Sequence, residues 1–273
     1  MIDSFDYKEP RCSLCDGKDF YYPDKDAPLG RIPVQRIIEK LDSLYNKNDI
    51  SESGRLLTYW QKEAQNLKDL QGELSILNEL LGYYRKVNLV NEGLLAIDRT
   101  NFIIDKLNLQ ESFSVATIYL NMATTLKAFK QPEQALVIYE KTFKIYSKTT
   151  TPPELWAGYY NNFALTLVDL GEFEKAENNY FLALEKLVNT PNYYTDSAIT
   201  QVNLAHLYEV MGKADKITDC IFNAVNLLFD EKIIKNGYYA FVLEKCAPSF
   251  KHFGFDKLAV DCKTLSEKIY EGN

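Results

Sequence analysis

The sequence predicts an all-α chain, a right-handed superhelical solenoid of about six antiparallel helix pairs. Three observations carry that prediction: similar segments recur at a steady interval, each carries the chemistry of a helix stop, and a large side chain returns at a fixed offset before every stop, with small ones around most of them. VDLGEFEKAENNYFLAL around Gly171, EVMGKADKITDCIFNAV around Gly212 and KHFGFDKLAVDCKTLSE around Gly254 stand 41 and 42 residues apart. Stepping back by 41, 42 and 40 residues reaches Lys130, Asn88 and Asn48, so six positions share one phase.

The stops account for the residue choice. A helix commonly ends on one residue in the left-handed conformation, which costs Gly nothing and Asn little. Five of the six positions are Gly or Asn. Lys130 departs, and the break there is expected to depend instead on Pro132, a residue favoured in the first turn of a new helix. Seven residues before the stops stand Leu41, Leu81, Ala123, Ala164, Ala205 and Ala247; five after them stand Ser53, Gly93, Ala135, Ala176, Ile217 and Ala259. Small side chains there let two helices approach closely. Four residues before each stop the side chain is large: Leu44, Tyr84, Leu126, Leu167, Tyr208 and Phe250.

In order, the pairs are expected at about 34–67, 74–107, 116–149, 157–190, 198–231 and 240–273, within a repeat domain of residues 32–273. The first two turn at Asn48 and Asn88, and the third at Lys130. The fourth follows Pro152 and Pro153 in TTTPPELW, and the fifth follows Pro191 in PNYYTDS, linkers that a proline punctuates. In the sixth, Pro248 falls inside the first helix and is expected to kink or shorten it. Its outer face carries Lys257, Lys263, Glu267 and Lys268, as a capping repeat requires.

Composition narrows the function classes. The chain has 273 residues, 46% hydrophobic and 25% charged, which is the profile of a folded protein. A net charge of -7 disfavours nucleic acid or an anionic membrane as partner. The N-terminus, MIDSFDYKEP, is too polar for a secretory signal, and a cytoplasmic location is expected. There is no Gly-rich phosphate loop, no G-x-S-x-G and no H-E-x-x-H, and the two histidines, His206 and His252, lie far apart in sequence, so no enzyme is expected.

Helix, turn and helix with small residues at these offsets and an aromatic at Tyr139 or Tyr180 resemble the tetratricopeptide repeat family, in its longer-period form of about 41 residues, over residues 32 to 271. In such a stack the first helices line a groove. Two residues before the small position stand Asn121, Asn162 and Asn203, with Glu79 and Lys245 in the equivalent outer places. Asn78, Arg85, Thr117, Lys127, Asn161, Leu165, His206 and Glu209 are expected on the same face. An amide offers one acceptor and two donors, enough to grip an extended backbone. The resemblance implies peptide contact by Asn121, Asn162 and Asn203, and a scaffold or adaptor that binds a protein or peptide. A sensor of a signalling oligopeptide acting through a partner is the alternative.

Residues 1–31 read as an irregular segment containing Cys12-Ser-Leu-Cys15. Two thiolates on one turn can share a zinc ion, but a structural site needs four ligands, with Cys246 and His252 the remote candidates. A redox pair is the other reading of Cys12 and Cys15, though the strand-turn-helix context it needs is missing from the sequence, and no cofactor is expected otherwise. Cys220, Cys246 and Cys262 fall in apolar helical segments and are expected to pack as small hydrophobes.

Overall fold

The computed structural model describes residues 30–272. Among the described residues there are twelve α-helices and no strand. They run in pairs: α1 (Val34–Asn46) and α2 (Ile50–Leu67), α3 (Leu70–Lys86) and α4 (Val90–Lys106), α5 (Phe113–Ala128) and α6 (Pro132–Tyr146), α7 (Pro153–Asp169) and α8 (Phe173–Leu187), α9 (Tyr193–Val210) and α10 (Ala214–Leu228), α11 (Gly237–His252) and α12 (Asp256–Gly272). The fold class is that of a tetratricopeptide-like helical repeat. The expected irregular segment and its Cys12 and Cys15 lie outside the described residues.

All six expected stops are left-handed, with φ of 55° at Asn48, 56° at Asn88, 62° at Lys130, 77° at Gly171, 70° at Gly212 and 85° at Gly254. Lys130 therefore does not break its helix by a separate route. It adopts the same conformation as the glycines, and Pro132 then opens α6. Each stop closes in the same way: the N–H one residue beyond it donates to the carbonyl of the large residue four before it. Those bonds measure 2.9 Å from Gln131 to Leu126, 2.9 Å from Glu172 to Leu167, 2.8 Å from Lys213 to Tyr208 and 2.8 Å from Phe255 to Phe250. This six-to-one closure satisfies carbonyls that a helix end otherwise leaves without a donor. The large row thus supplies both packing volume and the acceptor of the turn. Left-handed residues also follow three second helices, at Lys68, Asn108 and Asn189, where the sequence reading did not place them.

The described residues divide into two compact units. The first comprises residues 30–45 and Asp49–Thr151. Within it α3 packs against α2, α4 and α5, and α5 packs against α6. The close approaches fall where small residues stand: a Cβ on Gly93 would run into the ring of Phe129. α5 is buried from Ser114 through Lys127. Its hydroxyls are tied to carbonyls one turn back, Thr124 to Leu120 at 2.8 Å and Thr125 to Asn121 at 2.7 Å, so they enter the interior already paired. Glu73, buried on α3, receives Arg99 of α4 through two hydrogen bonds of 2.9 and 2.7 Å and Gln65 of α2 at 2.7 Å. A buried carboxylate is tolerable only with partners of this kind.

The second unit comprises Asn46–Asn48 and the residues from Pro152 onward. Here α7 packs on α8, α9 on α10 and α11 on α12, while α9 also touches α8, α11 and α7. Ala164, Ala176, Ala205, Ala247 and Ala259 are all buried at these crossings. Ile217, at the same offset as Ala176 and Ala259, is only half-buried. α11 runs unbroken from Gly237 to His252 through Pro248, so the expected shortening does not occur. Pro248 and Glu244, whose carbonyl loses its usual donor, are both exposed, where solvent can replace the missing bond.

Cys220, Cys246 and Cys262 are free and buried in this unit. Burial pushes the Cys220 thiol up to about 11 and the Cys262 thiol up to about 12, and pushes Cys246 upward as well. They pack as protonated small hydrophobes.

Candidate functional site

The expected groove residues fall into two sets, one in each unit. In the first, Asn78 of α3 and Asn121 of α5 meet: the Asn121 amide donates to Asn78 Oδ1 at 2.9 Å, and Asn78 in turn donates to Glu79 Oε1 at 3.1 Å. Asn121 is 2% exposed and Asn78 fully buried, Glu79 is half-buried, and Lys127 is buried at the far end of α5. In the second, the Asn203 amide of α9 donates to Asn161 Oδ1 of α7 at 3.1 Å, and Asn161 donates to Asn162 Oδ1, also at 3.1 Å. Thr200 adds a hydroxyl to Asn161 Oδ1 at 3.4 Å. Asn162 is 4% and Asn203 2% exposed.

These amides do not stand as the open row that a solvated groove would present. They are buried and linked across neighbouring first helices, each side chain orienting the next. The link also differs from the expected series, because Asn203 reaches Asn161 rather than the equivalent Asn162. Partners on adjacent first helices are separated by one repeat plus about one residue, 43 for Asn78 and Asn121 and 42 for Asn161 and Asn203.

The same offset assembles a group that the sequence reading did not join. His206 and Glu209 stand one turn apart on α9; 43 residues further on, Ser249 and His252 stand on α11. His206 Nε2 lies 2.7 Å from Ser249 Oγ, and its Nδ1 lies 3.7 Å from Glu209 Oε2. His252 Nε2 lies 2.7 Å from Glu209 Oε1. The Phe253 ring flanks both imidazoles, with centroids 4.8 Å from His206 and 4.9 Å from His252. Burial lowers the pKa of His206, opposed by the neighbouring Glu209 carboxylate. Among the described residues, His206, Glu209 and His252 are the group whose ligand atoms converge, all within 4.8 Å of one another. Lys245, also expected on this face, lies half-buried on α11 with its ammonium 5.6 Å from the Phe241 ring centroid.

A third polar group sits deeper. Asp196 of α9 is buried and accepts a hydrogen bond of 2.5 Å from the Tyr238 hydroxyl of α11. Burial drives its carboxyl up to about 7, against the Tyr238 and Thr195 hydrogen bonds, which act downward.

Residues 115–149, which take in α5 and α6, match the sequence profile of the Tetratricopeptide repeat family. No curated protein sequence matches the chain. Among solved structures, the chain is similar to BtubC (BKLC) from P. vanneervenii at 18% identity, covering 86% of this chain and 91% of that one, with a TM-score of 0.48. It is similar at 15% identity to a kinesin light chain-type protein of Podosopora anserina with nearly identical TPR-like repeats, covering 72% of this chain and 94% of that one, with a TM-score of 0.48. The APC/C hetero-tetramer Cut9-Hcn1 matches at 15% identity over 89% of this chain and 54% of that one, with a TM-score of 0.30. The chain thus carries a tetratricopeptide repeat at α5 and α6, and the same left-handed stop recurs in all six helix pairs of its tetratricopeptide-like fold.

Proposed function

We propose that this chain is a non-enzymatic adaptor of the cytoplasm whose first helices bind another polypeptide. At the coarse level the repeat class already makes it a protein-interaction scaffold. The observation that carries the finer reading is the pair of amide ladders, Asn78 with Asn121 and Asn161 with Asn203, at one register of the first helices in both units. The ladders lie beneath the surface, 0–2% exposed, and hold neighbouring first helices in register, so a polypeptide meets a face already ordered around them. Glu79, Lys127, Asn162, His206 and Lys245 complete the proposed contact set, with mixed charge suited to a protein rather than to a uniformly charged polymer.

A net charge of -7 supports a protein or peptide partner over nucleic acid or an anionic membrane surface. No helix among the described residues is long and apolar enough to cross a membrane, and the three buried cysteines are unpaired thiols; both fit the proposed cytoplasmic location.

The test is affinity capture from the native cell lysate with partners identified by mass spectrometry. Replacing Asn121, Asn162 and Asn203 together by Ala is expected to abolish recovery of the partners held by the unaltered chain. A second bait, Lys245→Glu, alters a half-buried position outside the amide links and leaves the ladders intact; a reduced yield of the same partners is expected. Full recovery by both baits, with circular-dichroism melts showing both folded, would overturn the assignment.

A further inference from the structure

We propose that His206, Glu209 and His252 form a three-ligand site for a borderline divalent transition metal of the zinc class, with one coordination position open to solvent. The chain has only two histidines, 46 residues apart in sequence, and both are in this group. Two imidazoles and one carboxylate are a donor set that zinc accepts when a fourth position is left to water.

The geometry suits such an ion. In a tetrahedral site with bonds of about 2.0–2.1 Å to nitrogen and oxygen, neighbouring donor atoms stand about 3.3 Å apart. The observed separations bracket that value: 2.7 Å from His252 Nε2 to Glu209 Oε1 and 3.7 Å from His206 Nδ1 to Glu209 Oε2. Glu209 therefore faces both rings, one through each oxygen. All three ligand atoms lie within 4.8 Å of one another, so a cation entering between them draws the group together by side-chain adjustment and replaces the contacts Glu209 already makes with both rings.

The surroundings also fit. Ser249, fully buried, meets His206 Nε2 at 2.7 Å. With the proton on Nε2 donated to that hydroxyl, the lone pair on Nδ1 points towards Glu209 and the proposed ion. Metal-binding histidines are ordinarily oriented by such a bond at their other nitrogen. Phe253 closes one side with an apolar ring, while Glu209 and His252 are exposed on the other, which leaves an entry path from solvent. All the groups belong to α9, α11 and the residue that follows α11, so the site lies within one compact unit.

Zinc titration of the untagged full chain, carrying Cys12→Ser and Cys15→Ser and first stripped with a chelator, tests the proposal by competition with a chromophoric zinc indicator. One equivalent of zinc per chain is expected. Single changes His252→Ala and Glu209→Gln, both at exposed positions, are each expected to weaken binding at least tenfold. Ser249→Ala is expected to weaken it by about tenfold through loss of ring orientation. Cobalt substituted for zinc should give the strong visible absorption of a four-coordinate ion, lost in His252→Ala. Two results would each overturn the site: no saturable binding by the cysteine-free chain, or unchanged affinity in His252→Ala and Glu209→Gln. Melting curves of each variant separate loss of a ligand from loss of fold, and because no partner enters the titration, its failure would leave the adaptor reading standing on its own test.

Discussion

Lys130 holds φ at 62° in a position where its five equivalents relieve strain by residue type, three as glycine and two as asparagine. A side chain with a Cβ in the left-handed region costs about 1–2 kcal/mol. Lys130→Gly removes that cost but frees the unfolded chain, which returns about 0.4–1 kcal/mol of it. A net gain of about 0.5–1 kcal/mol is expected in urea unfolding. Asp196 is the other residue whose environment sets a measurable sign. Its folded pKa, about 7, lies above the ordinary 3.8, so the stability linked to its proton is fully present below the ordinary value and is lost as pH rises through the folded one. Asp196→Asn should therefore melt higher than the unaltered chain at pH 7.5, and the gap should close as pH falls towards 4. A gap that widened on acidification would show that the carboxyl is held as an anion.

Among the elements, the hairpin is the part most legible in the sequence. Its stop requires a residue tolerant of positive φ, its crossing requires small side chains, and its closure requires a large residue four positions back. All three demands write themselves into residue type at fixed offsets. Lys130 was misread because a residue of poor intrinsic preference took the standard conformation, held by the bonds to Lys127 and Leu126 on either side of its turn. The left-handed ends at Lys68, Asn108 and Asn189 keep the same interval, at steps of 40 and 81 residues, and were missed because none is a glycine and one is again lysine. The crossings yield a direct expectation. Ala205 is fully buried within the second unit, so Ala205→Leu forces extra volume into a filled space and should cost about 1–3 kcal/mol or more, read as a lowered denaturant midpoint.

For the molecule as a whole, the candidate sites were legible only in part, for one physical reason. Repeat phase tells which residues are equivalent, whereas contact between adjacent first helices joins residues one repeat plus about one further. Equivalence alone drew Asn121, Asn162 and Asn203 into an open row; the structure instead joins Asn121 to Asn78 and Asn203 to Asn161. The same shift brings His252 to Glu209 and Ser249 to His206, though nothing in the phase of the repeats suggests it. With the offset known, 42 to 43 residues, these pairs could be read directly from the sequence.

The placement of the sulfhydryls gives the chain an internal reporter. Apart from Cys12 and Cys15, every cysteine in the sequence falls after Pro152, and each is buried and protonated at neutral pH. In a chain with those two replaced by serine, an alkylating dye can react only when the C-terminal half opens. Its labelling rate across a denaturant series therefore times that half alone, while circular dichroism follows both. Coincident midpoints would mean that the halves melt as one cooperative body, and separated midpoints would give each its own stability.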